Sequence, residues 1–333
     1  MGPRTSTREK PLCAWAVTTG ETGMRTQARG LASRVGGSVL ERTARLTAPW
    51  RWLPPALAPD PLRRQTGDDP LAPPWPDLLI TCGRRSVPFS LAVREASGGR
   101  TLTVHIQDPL RAAADFDLVV ALAHDPIPAA DNVLKTLTAL HDVTTQDLAA
   151  AAEKWALRLR PLGRPLVGVA LGGPTRRSTF TAAQAETLAR ALARMRQGGW
   201  SLAITPSRRT PPELREVFVR AFSGDEQVFL WDLEGENPYR AILGAADRLV
   251  VTGDSVSMVS EAVAAPAPVE VFDLGAGRHE RFLEALVARG LAARLGDGGG
   301  PPPSTRPYDA TIEAAAAVRR LLQERTGASG NAS

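Results

Sequence analysis

The residues with the most chemical content lie where an apolar run, 248–252, meets Thr252-Gly253-Asp254-Ser255 and passes straight into a helical pattern. A helix start leaves backbone N–H groups without partners, and the helix dipole makes that end attractive to anions. Ser255 and Ser257 would add hydroxyl donors for phosphate oxygens, with Asp254 in the loop. Glu261, about one and a half turns further along, suits a ribose hydroxyl pair. The plainer alternative is that Asp254 or Ser255 merely caps the helix. A second candidate follows the apolar run 166–171: Gly172-Gly173 lets backbone approach a ligand closely, and Arg176 or Arg177 can pair with phosphate. Together these segments predict a nucleoside-diphosphate site. Thr205-Pro206-Ser207-Arg208-Arg209 ends the next strand and reads as a helix-entry loop.

The first half offers an acceptor or anion side. Gly20 and Gly23 sit in a strand-to-helix turn, and Gly83-Arg84-Arg85-Ser86 places two guanidinium groups and a capping hydroxyl at one helix start. Asp108 and His124 also end strands, and either is a candidate general base on an acceptor hydroxyl. The alternative for each is a polar loop residue satisfying turn backbone. His105, in mid-strand, reads as packing. No His/Cys cluster has metal-ligand spacing, so neither a metal nor another cofactor is expected.

Strand-like and helix-like segments alternate through the chain. Strands are predicted at 12–18, 77–82, 101–106, 117–121, 166–171, 201–205, 227–231, 248–252 and 269–272, with helices at 25–34, 86–96, 145–159, 179–196, 211–222, 238–245, 256–265, 278–290 and 309–325. This grammar predicts an α/β protein of two doubly wound, Rossmann-like domains, with ligand at the carboxyl ends of the strands in the cleft between them. Gly163-Arg164-Pro165 suggests the division: 11–160 as the acceptor-side domain and 161–325 as the nucleotide-binding domain, with flexible tails at 1–10 and 327–333. The proline-rich stretch 47–76, with Trp50, Trp52 and Trp75, reads as a surface insertion and a possible interaction surface.

Composition narrows the classes further. A chain of 333 residues, 43% hydrophobic and 23% charged, is globular rather than disordered or fibrous. Only 3 of its 40 basic residues are lysine, the usage of a GC-rich bacterial genome, so the net charge of +5 does not by itself indicate a nucleic-acid partner. No apolar run approaches the ~20 residues of a membrane helix. Residues 1–10 lack the apolar core of a signal peptide. The expectation is a cytoplasmic protein, with the inner membrane face as a peripheral station.

Asn237-Pro238-Tyr239, followed by 246–262, closely resembles the signature of the mitochondrial fission Elm (elongated mitochondria) family. Segments 82–86, 105–109, 116–125 and Asn132-Val133 match it in order, so the resemblance runs over about 12–325. One departure stands out: the family's first loop usually reads Gly-His-x-x-Gln, and here Met24 replaces the histidine. The resemblance implies a fold similar to GT-B glycosyltransferases and non-hydrolysing UDP-sugar 2-epimerases. It also implies a nucleotide-sugar substrate, a UDP-sugar first among them, and a metal-independent glycosyltransferase-like reaction. The other readings are a nucleotide-sugar epimerase, or a non-catalytic scaffold for a protein or membrane partner. The family's plant members act at the mitochondrial surface, a role the resemblance does not carry to a bacterial chain.

Overall fold

A computed structural model describes residues 11–52, 59–67, 69–174, 179–275, 278–296, 298–300, 303 and 305–330. The chain divides into two compact units, Met1–Asp142 with Ala310–Ser333, and Val143–Asp309.

The first unit is built on a six-stranded sheet. Its elements are β1 (Cys13–Thr18), α1 (Thr22–Val35), β2 (Ser38–Thr43), β3 (Arg45–Leu46), β4 (Gln65–Thr66), β5 (Leu78–Cys82), α2 (Val87–Ala96), β6 (Leu102–Ile106), β7 (Leu118–Leu122) and β8 (Val133–Thr136). The sheet order is β2-β1-β5-β6-β7-β8, parallel throughout, while β3 and β4 form a separate antiparallel pair. β5 and β6 are buried at every position, as strands covered on both faces must be. The helix Ala310–Gly330 packs on α1 and buries Ala310, Ala314, Ala315 and Val318 completely.

The 47–76 stretch is less open than expected. Trp50 and Trp75 pack against the cluster around Trp15, with the Trp15 and Trp75 rings edge-to-face at 6.0 Å. Trp52 is 69% exposed. Two of the three indoles therefore extend the core, because a ring that size gains more by covering the sheet than by meeting water.

The second unit repeats the plan: α3 (Thr145–Lys154), α4 (Ala156–Leu159), β9 (Leu166–Leu171), α5 (Ala182–Gln197), β10 (Ser201–Pro206), α6 (Pro212–Phe222), β11 (Val228–Leu230), α7 (Tyr239–Ala245), β12 (Arg248–Thr252), α8 (Val256–Val263), β13 (Val269–Phe272), α9 (Arg278–Val287) and β14 (Ala293–Arg294). Its parallel sheet runs β11-β10-β9-β12-β13-β14. α5 begins with a full capping box, Thr181 and Gln184 each bonding the other's backbone.

The units do not divide at 160/161. α3 and α4 belong to the second unit, because α3 packs on α7 and Trp155, Leu159 and Leu162 join a core with Leu166, Ala241 and Ile242. The segment from Ala310 onward belongs to the first unit.

Candidate functional site

In the second sheet β9 is the first strand in the chain, and its neighbours β10 and β12 lie on opposite sides. Connections therefore leave in opposite directions at the carboxyl ends of β9 and β12, and that switch point is where open α/β sheets bind ligands. Two loops meet there, one after Leu171 and one after Thr252.

A continuous set of hydrogen bonds clasps these loops. The Gly172 N–H donates to Thr252 Oγ1 at 2.7 Å, and that hydroxyl donates to Asp254 Oδ1 at 2.7 Å. The Gly173 N–H donates to Asp254 Oδ2 at 3.0 Å. The Thr210 hydroxyl bonds the carbonyls of Leu171 and Gly172, drawing in the loop between β10 and α6. Space is as tight as the bonding. A Cβ on Gly172 would lie 2.1 Å from the Asp254 carboxylate oxygens, and one on Gly173 would lie 2.1 Å from the Arg209 carbonyl.

This geometry revises three expectations. The amides of Gly172 and Gly173 are committed to Thr252 and Asp254, so they do not present donors to a phosphate. Asp254, whose side chain is wholly inaccessible, is the anchor of the clasp and not a ligand group. The Ser255 hydroxyl accepts the Met258 N–H at 3.3 Å and caps α8. The remaining candidates keep their places. Ser257 is half-buried in the first turn of α8, and the N–H groups of Val256 and Ser257 have no acceptor among the described residues. Glu261 lies beside the phenol of Tyr239, whose pKa is driven well above the tyrosine range by burial first and by the carboxylate's charge second. Arg176 and Arg177 lie outside the described residues.

Sequence reasoning set Arg209 aside as part of a helix-entry loop. Its Nη2 donates to Asp254 Oδ2 at 3.2 Å and its Nη1 to the Gly173 carbonyl at 3.3 Å, with the side chain still 43% exposed. The signal was present as an arginine pair, Arg208-Arg209, at the end of β10, but a helix-entry loop explained it equally well.

In the first unit, Ser86 is not available to an anion. Its hydroxyl donates back to the carbonyls of Cys82 (3.0 Å) and Gly83 (2.7 Å), and the residue is fully buried. Arg84 and Arg85 are exposed at that turn. Gly23 lies inside the first turn of α1, while the loop proper is shorter and bound by Arg45, whose Nε donates to the Thr19 carbonyl at 2.6 Å. The Met24 thioether sits against Gly83. Asp108 accepts the Leu110 N–H at 2.8 Å, a local turn bond, and His124 is half-buried after β7. His105 is fully buried, bonds Thr81 Oγ1 through Nδ1 at 2.8 Å and packs on Phe116; burial pushes its pKa down to about 3. Burial, then the charge of Glu21, pushes the Cys82 thiol pKa up.

Two doubly wound parallel-sheet units define an α/β protein of the GT-B-like class. Known structures agree on that fold. The UDP-GlcNAc 2-epimerase of Methanocaldococcus jannaschii superposes with a TM-score of 0.50 at 10% identity, over 93% of this chain and 99% of that one. A Staphylococcus aureus MnaA–UDP structure gives 0.50 at 11%, over 95% and 97%. The chain itself belongs to the mitochondrial fission ELM1 family, whose model matches residues 22–322. It is 29% identical to "Mitochondrial fission protein ELM1" of Arabidopsis thaliana over 276 residues, 75% of this chain. It is 23% identical over 320 residues to a Rickettsia prowazekii protein described as uncharacterized, covering 84% of this chain and 89% of that one. The chain spans 65% of the Arabidopsis protein's length. Among the described residues, no helix is long and apolar enough to cross a membrane, and no group of three His, Cys, Asp or Glu side chains is arranged to hold a metal.

Proposed function

We propose that the second unit binds a nucleotide-sugar through its diphosphate at the amino end of α8, and that the protein is a metal-independent, glycosyltransferase-like enzyme. One observation carries this reading: the half-exposed first turn of α8, with the N–H groups of Val256 and Ser257 and the Ser257 hydroxyl, stands at the switch point between β9 and β12. As the bond from the sugar carbon to the diphosphate oxygen breaks, negative charge grows on the leaving diphosphate. Fixed amides and the helix dipole stabilise that charge more than they stabilise the intact substrate, which is what accelerates a reaction. Glu261, held beside Tyr239, is the candidate ribose ligand. His124 is the candidate base on an acceptor hydroxyl, with Asp108 second because one of its oxygens already serves the Leu110 amide.

Calorimetric titration with UDP-, GDP- and dTDP-sugars tests the reading. UDP-sugars come first because a protein of the same fold is described with UDP. Binding below millimolar concentration is expected, and none at millimolar ligand, in protein shown to be folded, rejects it. Incubation with a UDP-sugar and no acceptor separates epimerisation from transfer.

A second reading, a non-catalytic scaffold at a protein or inner-membrane surface, draws on Met24 at the family's histidine position and on exposed Trp52. Flotation with anionic liposomes, compared with a 47–76 deletion, tests it. Unchanged flotation after the deletion counts against that segment.

A further inference from the structure

The clasp places a negative charge where the proposed ligand is also negative. Asp254 stands two residues before the first residue of α8, and its carboxylate is wholly inaccessible to solvent. A buried carboxylate is poorly screened, so its field reaches the neighbouring anion site far more strongly than a surface charge would. Its hydrogen bonds from Thr252 and Gly173 are from neutral donors. Among the described residues, the cationic group on it is Arg209, which makes one contact to Oδ2 and turns its other end to the Gly173 carbonyl and to solvent.

We propose that Arg209 is a positioning residue that makes the α8 site permissive to a diphosphate by neutralising Asp254, without itself being required as a phosphate ligand. The proposal rests on the nucleotide reading of the same site. Removing the guanidinium leaves the carboxylate uncompensated beside the ligand. Removing the carboxylate as well abolishes the need for the guanidinium. The two residues are therefore coupled for anions and not for the uncharged nucleoside.

The test is calorimetry with UDP, inorganic pyrophosphate and uridine on the full chain and on R209Q, D254N and R209Q/D254N, with melting curves as the check on folding. In R209Q, affinity for UDP and pyrophosphate should fall roughly ten- to hundredfold, the range for losing a charge-assisted partner, while uridine binding holds within about twofold. The double variant should bind UDP within about threefold of D254N. A double variant as weak as R209Q means Arg209 grips phosphate directly and overturns the proposal, as does an R209Q that binds UDP normally. If R209Q fails to fold, D254N against R209Q/D254N carries the test, and a tenfold difference between them overturns it. If the unaltered chain binds neither UDP nor pyrophosphate, the nucleotide reading itself fails. That result differs from a chain that binds both and shows no coupling.

Discussion

Gly172 and Asp254 approach so closely that no side chain fits between them, and the Thr252 hydroxyl joins them by accepting a hydrogen bond from the Gly172 N–H and donating one to the Asp254 carboxylate. The two segments flanking the switch point are thus one rigid piece. Their stability and their readiness for a ligand should change together.

Gly172→Ala should destabilise the protein by about 1–3 kcal/mol, the usual range for overpacking, because the new methyl meets the Asp254 carboxylate. Urea unfolding measures it. A variant as stable as the parent would mean that the loops separate easily.

Thr252→Val keeps the shape of the residue and removes both bonds. It leaves the Gly172 N–H and one Asp254 oxygen unsatisfied, which should cost about 1–3 kcal/mol. The same variant should weaken nucleotide binding, since α8 is no longer fixed against the loop after β9.

Ser255 and Ser257 should separate. Ser255→Ala removes the α8 cap and should cost about 1 kcal/mol of stability. Ser257→Ala should leave the unfolding midpoint unchanged and lower affinity for a nucleoside diphosphate. Calorimetry beside denaturation distinguishes the two, and equal effects from both substitutions would contradict the assignment.

His105 predicts an acid-sensitive core. Its folded-state pKa, about 3, lies below the ordinary value of 6.5 because burial disfavours the charged ring. Between those two values the unfolded chain binds a proton that the folded chain does not. Its contribution to stability is therefore complete above about pH 6.5 and declines as the pH falls, by about 1.4 kcal/mol per unit at most, until about pH 3. Unfolding curves at pH 7.5, 6 and 5 should show the loss, and His105→Asn should flatten it.

The central strands were legible in the sequence, and of the four border strands of the two six-stranded sheets only β11, predicted at 227–231, was. β5, β6, β9 and β12 are buried along their whole length, so they appear as short, mainly apolar runs, with Thr103 and His105 inside β6 and Arg248 opening β12. β2, β8 and β14 each lie at the border of a sheet, have a partner on one side, and mix polar with apolar residues, so no periodicity revealed them. The same limit applies at the site. The strand–loop–helix pattern at 248–263 was evident, because such a junction has a local signature. The commitment of the glycine amides was not, because it depends on Thr252 and Asp254, about eighty positions away. Arg209 was obscured for the same reason: its partner is brought to it by the sheet, not by the chain.

The excursion of the chain through 143–309 before the helix Ala310–Gly330 completes the first unit governs the order of assembly during synthesis. The first part of the chain to emerge from the ribosome stays unfinished, with the face of α1 that this helix covers left open, until residues 310–330 have been made and released. A premature stop near residue 309 would therefore spoil the part of the molecule that was made first.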